Sequence, residues 1–418
     1  MRAWVNSSVA ISPDNEPAGH PRVAISVIFF LTGAGTANWA VRIPAVQERL
    51  GLTAGQLGIA LVGVSVGAML AMPIAGRLVA RRGSVPVTRA GALAFATALV
   101  LPAYAPNFLL LMFALALLGM ANGILDVAMN AQAAVVQRKY AKPIMSRIHA
   151  LYSFGGLVGA VIGGRIAARH IDPGIHLLGA GLMIAAVGGA VAFGLLPASN
   201  DAVEGGPRLA LPTRALATLS LLAFFVLFGE GAMMNWSAVY LRDISGAGPG
   251  LAAAGFASFS LAMAFGRAVG DALNARFGAE RVVRGGGALA AIGLLGAVTW
   301  TAPWAVVIGF GFVGAGLSSV FPIVLSAASR KPGHVPGAAI AAVSVCGYTG
   351  LLAGPPLIGA VATPFSLRAG IGLVAATSVG VVLLAGAVRD AKAQALPTEN
   401  DGVDEPAGAL SALSTDGR

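Results

Sequence analysis

The stretch Gly155-Gly156-Leu157-Val158-Gly159-Ala160-Val161-Ile162-Gly163-Gly164 has a counterpart 195 residues further on, where Gly350, Gly354 and Gly359 repeat the positions of Gly155, Gly159 and Gly164. Asn38-Trp39 returns as Asn235-Trp236, at an offset of 197. A duplicated unit accounts for both. Each copy is strongly apolar: 57% of the 418 residues are apolar and 11% are charged, whereas about a quarter are charged in a soluble domain. A membrane span needs about 20 mainly apolar residues. Runs of that kind fall near 23–42, 55–76, 86–104, 107–135, 146–168 and 174–196, then 215–241, 250–272, 282–301, 303–328, 337–361 and 366–388. The chain therefore reads as an all-α membrane protein with 12 transmembrane helices in two parallel six-helix repeats. Its 57 glycines suit helices that approach closely in lipid.

The polar segment 1–22 reads as a cytoplasmic N-terminal leader, and the apolar run after it exceeds the core of a cleavable signal, so it is expected to stay as a helix. Bundles over 23–196 and 215–390 are joined by a cytoplasmic linker, 197–214, that carries Pro197, Asp201, Glu204, Gly205, Gly206, Pro207 and Pro212. The polar, acidic tail 391–418 is expected to be disordered. Lys and Arg prefer the cytoplasmic side. With both termini inside, Arg77, Arg81, Arg82 and Arg89, then Arg138, Lys139, Lys142 and Arg147, then Arg276, Arg281 and Arg284 fall in cytoplasmic loops. The other side keeps Arg42, Arg49, Arg165, Arg169, Arg242 and Arg368, six of 27 basic residues. The expectation is a multi-pass monomer in a bacterial cytoplasmic membrane, surrounded by lipid. The net charge of +10 sits in short runs between apolar stretches without interleaved aromatics, which argues against nucleic acid. Cys346 is the only cysteine, so no disulfide framework forms. No second histidine stands at ligand spacing, and neither metal nor cofactor is expected.

The second apolar run closes with Gly76-Arg77-Leu78-Val79-Ala80-Arg81-Arg82-Gly83 and the eighth with Asp271-Ala272-Leu273-Asn274-Ala275-Arg276-Phe277-Gly278. Both resemble the loop signature of the major facilitator superfamily. That resemblance implies two bundles rocking around a central site, with Arg77, Arg81, Arg82, Gly83, Asp271 and Arg276 as a cytoplasmic gate. The signature's acidic position is Ala80 in one copy and Ala275 in the other, which leaves Asp271 as a substitute, and topology alone accounts equally well for the arginines. Phe29-Phe30-Leu31 with Ile43-Pro44, Gly123-Ile124-Leu125-Asp126-Val127-Ala128-Met129-Asn130, and Ser153-Phe154-Gly155 resemble the fucose/proton symporter family and its YbjJ/MosC-like relatives. The acid of that family's first helix falls on Ala40 and the asparagine of its fifth on Tyr152, so fucose itself is not implied.

Asp126 is the most informative residue. Asn122, Asp126 and Asn130 lie four apart on one helix face with Gly119 and Gly123. An acid inside a span costs about 2.5–3.5 kcal/mol on insertion scales and by default faces a cavity or a partner. Its counterpart at 195 is Phe321. Asp126 is therefore the first candidate for proton coupling, against a structural pairing with Arg147. Glu230, mid-way along the seventh span, is the second, against neutralisation by Arg267 of the eighth. Asn38, Trp39, Asn235 and Trp236 are candidates to hold a hydroxylated solute, although tryptophan also anchors at the membrane interface without a ligand. His149 and Tyr152 share a helix face with Ser153, where a histidine could join a proton relay or cap the helix start. Tyr348 completes the candidate substrate site.

Secondary transport of a small solute, coupled to protons, is the leading expectation. Sugar or polyol uptake is favoured by the asparagine stripe and the symporter resemblance, drug or metabolite efflux by the glycine pattern. An enzyme would need clustered nucleophile or metal residues, and no H-E-x-x-H occurs. A non-transporting membrane sensor would carry a larger soluble extension than the tail seen here.

Overall fold

The computed structural model describes residues 20–140, 144–196, 213–332 and 336–389. Among them there is no strand, and 12 helices are long and apolar enough to cross a membrane. In the first half these are α1 (Pro21–Arg49), α2 (Ala54–Arg82), α3 (Ser84–Tyr104), α4 (Phe108–Lys139), α5 (Arg147–Ala168) and α6 (Pro173–Gly194). The second half has α7 (Arg214–Asp243), α8 (Pro249–Phe277), α9 (Ala279–Thr299), α10 (Pro303–Ser329), α11 (Ala338–Ala362) and α12 (Leu367–Val388). The expected leader, linker and tail lie outside the described residues, apart from their edges.

Every expected span is present, but several run further than the apolar stretch does. Arg77, Arg81 and Arg82, expected in a loop, stand instead on the last turns of α2, as Arg276 does on α8. Long basic side chains keep their charge in water while their stems cover apolar surface, so a helix need not stop where the charges begin. The connection that follows is one residue in each half, Gly83 and Gly278. Their backbones agree, φ 81° and ψ 163° against φ 81° and ψ 154°, in a region open essentially to glycine. Helix starts are set by proline at the first turn of α1, α6, α8 and α10. A capping box between Thr53 and Gln56 starts α2, and the Asp172 carboxylate accepts from Gly174 and Ile175 N–H at α6. Within α10 the helix is interrupted at Ser318-Ser319, a break absent from the sequence reading. Pro322 explains it, because its ring would collide with the carbonyl four residues earlier.

In the first half α1 packs on α5 and α6, α2 on α4, and α3 on α4 and α6. The second half repeats this with α7 on α11 and α12, α8 on α10, and α9 on α10 and α12. Glycines set the helix register. A Cβ on Gly155 would strike the Phe30 carbonyl oxygen and one on Gly350 the Phe224 carbonyl oxygen; Gly119 meets Val64 as Gly314 meets Phe259. The α4/α10, α2/α8 and α5/α11 pairs thus superpose at an offset of 195, as the sequence indicated. For α1 and α7 the packing gives 194, since Phe30 matches Phe224 and Gly35 matches Gly229 against α6 and α12. The Asn-Trp pair at 197 is therefore not a symmetry-related pair: Asn235 corresponds to Val41. The halves meet along α5 with α8, α2 with α11, and α1 with α7.

Candidate functional site

Gly119 and Gly123 press α4 against α2, whereas Met129 touches α1, with its sulfur 3.8 Å from the Thr32 hydroxyl. At 100° per residue, Asp126 lies on the arc between those two contacts and so points into the gap between α1 and α2, on the side facing the second half. It keeps accessible surface while Leu125, Ala128 and Met129 beside it are buried. The Asn130 amide donates to Asp126 Oδ1 at 3.2 Å and to its carbonyl at 2.8 Å. Among the described residues no cation lies within 4 Å of Asp126. Arg147, the structural partner considered from sequence, is exposed and makes no ion pair among the described residues.

Other elements bring polar groups to the same gap. Tyr348 of α11 is 37% exposed and within electrostatic reach of Asp126, Glu230 and Tyr152. The Tyr152 hydroxyl of α5 donates to Thr36 of α1 at 3.5 Å. Arg267 of α8 crosses between the halves: one terminal nitrogen donates to Ser153 Oγ of α5 at 2.7 Å, the other to Glu230 Oε1 of α7 at 3.4 Å. His149 packs its ring edge-on against Phe29, centroids 5.3 Å apart. Just beyond these groups a cavity of about 20 Å³ is lined by Gly33, Thr36, Tyr152, Glu230, Met234 and Ser260 among others. It has room for about one water molecule.

Contacts between the halves gather at one end of the cleft. At the end where α2 and α11 meet, a Cβ on Gly58 would lie 2.9 Å from the Pro355 carbonyl oxygen, and one on Gly164 of α5 would lie 2.7 Å from Ala253 of α8. There Arg242, at the tip of α7, donates to the Pro44 carbonyl and, at 2.7 Å, to Gln47 Oε1 of α1. It also pairs with its neighbour Asp243 at 2.5 Å. No such glycine contact or hydrogen bond between halves reaches the other, basic end among the described residues. At that end Arg77, Arg81, Arg82, Asp271 and Arg276 are exposed and make no ion pair among the described residues, and Gly83 serves as a corner.

Several expected site residues lie elsewhere. Asn38 is buried, with its amide donating to the Ala34 carbonyl at 2.7 Å and its oxygen 2.7 Å from His176 Nε2. His176 in turn accepts from Arg42 Nε at 2.7 Å. This is a closed network inside the first half. Trp39 and Trp236, 5% and 0% exposed, are core residues and present no ring to the cleft. Asn235 is partly exposed and donates to the Gly231 carbonyl at 2.8 Å. Asn122 keeps its place on the stripe with Asp126, also partly exposed. Glu230 has the partner foreseen as its structural alternative, Arg267. What sequence missed is that Arg267 also reaches across to Ser153; an arginine within an apolar run was the available signal. Thr36 gave none.

The family model described as Major Facilitator Superfamily matches residues 24–348 and 219–417. The chain is 34% identical over 373 residues to an uncharacterised MFS-type transporter of Yersinia pestis, covering 89% of this chain and 97% of that one. It is 32% identical over 369 residues to the membrane protein MosC of Rhizobium meliloti, covering 87% and 89%. Among solved structures, the nucleoside transporter NupG superposes with a TM-score of 0.70 at 12% identity, over 88% of this chain and 99% of that one. A bacterial homologue of the human lysosomal transporter Spinster, in an inward-facing and occupied conformation, gives 0.63 at 16% identity, over 88% and 95%. At such identities these two structures bear on the fold alone.

Proposed function

The chain belongs to the major facilitator superfamily, and from that premise we propose that it is a secondary transporter of a small hydroxylated solute, a sugar or polyol, driven by protons through alternating access. The observation that carries this reading is Asp126: a carboxyl group at mid-depth, facing the cleft between two rocking halves, with an asparagine beside it and no cation within 4 Å among the described residues. Such a group can exchange a proton with whichever side the cleft opens to. Its polar surroundings, Thr36, Asn122, Asn130, Tyr152, Ser153 and Tyr348, suit hydroxyl groups that need both donors and acceptors. The basic end of the bundle faces the cytoplasm of a bacterial cell on this reading, by the preference of Lys and Arg for that side, and the described state is inward-open. One charge crossing 100 mV is worth about 2.3 kcal/mol, enough for roughly a fifty-fold solute gradient.

The test is uptake of radiolabelled hexoses, pentoses and polyols by proteoliposomes under an imposed inward proton gradient. At least one solute is expected to accumulate. Asp126→Asn is expected to abolish that accumulation while leaving exchange of the same solute, measured by counterflow, intact. Undiminished gradient-driven accumulation by Asp126→Asn rejects the proton assignment, and failure of every sugar and polyol rejects the substrate class.

A further inference from the structure

Two of the seams between the halves answer to each other in the 195-residue register, α5 on α8 and α2 on α11, yet they reach to different depths. On the first, a Cβ on Gly164 would lie 2.7 Å from Ala253 near the outer end, and one on Gly156 would lie 3.2 Å from Ser260 Oγ near the middle of both helices. Further toward the basic end, Arg267 donates to Ser153 Oγ at 2.7 Å. On the second seam the glycine contacts stop at Gly58 with Pro355 and Gly359, within about two turns of the outer ends. The hydroxyls of Thr349 and Thr363 there bond carbonyls of their own segment, and no hydrogen bond joins α2 to α11 among the described residues. The positions that answer to Ser153 and Arg267 are Tyr348 and Met72, and a thioether brings neither charge nor donor.

When two rigid halves rock about an axis at mid-depth, contacts on the outer side of the axis part as the outer end opens, and contacts on the inner side part as the inner end opens. In the described state no bond between the halves reaches the basic end, yet the Arg267–Ser153 bond, on the basic side of mid-depth, is made. Opening the outer end would bring the basic ends together and so would not break it either. We infer that the halves pivot on the α5–α8 seam, with Arg267 as a pin on Ser153 that holds in both states, while α2 and α11 are the seam that swings apart. Gly156 has no side chain to interlock with Ser260, which lets α5 roll on α8. Glu230 of α7 accepts from the other terminal nitrogen of Arg267 at 3.4 Å and belongs to the same half. The guanidinium therefore keeps a carboxylate whichever end is open, where a confined charge without one would be costly. Glu230 is a positioning residue for the pin.

The pivot rests on the reading of the chain as an alternating-access transporter, yet it is testable at equilibrium with no solute present. Two spin-label pairs at the basic end separate the seams in full-length Cys346→Ser protein in nanodiscs: positions 147 and 277 on α5 and α8, and positions 81 and 338 on α2 and α11, all exposed. The first pair is expected to give one narrow distance, the second a broad or two-component distribution. Ser153→Ala is expected to broaden the first. An equally wide swing of both pairs, or a first pair indifferent to Ser153→Ala, overturns the proposal. Disulfides then test the pivot directly. Gly156→Cys/Ser260→Cys bridges Cβ positions 3.7 Å apart at the pivot, and Gly55→Cys/Thr363→Cys bridges Cβ positions 3.5 Å apart at the outer end of α2 and α11, both within the span of about 3.5–4.5 Å that a disulfide takes. With nitroxides carried on p-acetylphenylalanine at 48 and 245, the oxidised outer pair is expected to lose the long distance component and the oxidised pivot pair to keep it. Loss of that component from the oxidised pivot pair overturns the proposal, and its absence from every reduced protein denies alternation and pivot together. If the pivot pair keeps it while no sugar or polyol moves with protons, the solute and proton reading falls alone; if coupled uptake is found and the oxidised pivot pair loses it, the pivot falls alone.

Discussion

Gly83 and Gly278 turn the chain between two helices in a single residue, at a backbone conformation that side chains disfavour by about 1–3 kcal/mol. Gly83→Ala is expected to lose that amount of stability, read as a lower midpoint in thermal unfolding of the purified protein. Gly76→Ala, in the same segment, is the control: its Cβ meets nothing within 4 Å, and a helix-interior glycine is replaced, so the midpoint should stay or rise slightly. Equal losses in both would mean that the corner is not strained. At this scale the sequence was readable where chemistry conflicted with surroundings. Asp126 stood out because an acid in an apolar run has few benign explanations. Asn38-Trp39 and Asn235-Trp236 misled because identity of two letters was taken for equivalence of place, and only the contacts of Phe30, Gly35 and their counterparts give the register. Thr36 was silent since a hydroxyl in a span usually bonds its own helix, as Thr36 does to the Thr32 carbonyl at 3.0 Å.

Glycines bring several helix backbones into contact beside a core of large side chains, and α4 on α2 shows how narrow the tolerance is. A Cβ on Gly119 would collide with the backbone of Val64, which cannot swing aside as a flexible side chain could. Gly119→Ala is expected to displace α4 from α2 and to cost more than a surface change, on the order of 1–3 kcal/mol for overpacking. Gly179→Ala on α6 meets nothing within 4 Å and should be neutral. Size-exclusion profiles and thermal midpoints of the two proteins in one detergent decide the matter, and indistinguishable behaviour would refute close backbone packing there. Span number was legible because length and apolarity are local properties. Helix ends were not, because the chain continues in helical form past the hydrocarbon wherever Arg can reach water. The break at Ser318-Ser319 could have been anticipated from Pro322, a signal that span counting passes over.

The two halves hold one end shut through the tip of α7 on α1, and this closure belongs to no part of the loop signature. Arg242 makes its bonds to Pro44 and Gln47 only when those helix tips are together. Hydrogen bonds from a charged group contribute about 1.5–3 kcal/mol each, so Arg242→Ala should shift the balance of open states by about tenfold or more toward the one open at that end. Spin labels at positions 48 and 245, with Cys346 replaced, would show a longer distance component in the variant. An unchanged distribution would remove Arg242 from the closure. Duplication was legible at this scale from three glycines, whereas which end is closed was not, since that depends on contacts between segments some 195 residues apart. Because the register sets Phe321 in the place of Asp126, Met72 in that of Arg267 and Thr36 in that of Glu230, each of these charges belongs to one half alone, whereas an assembly of two identical halves would carry each of them twice.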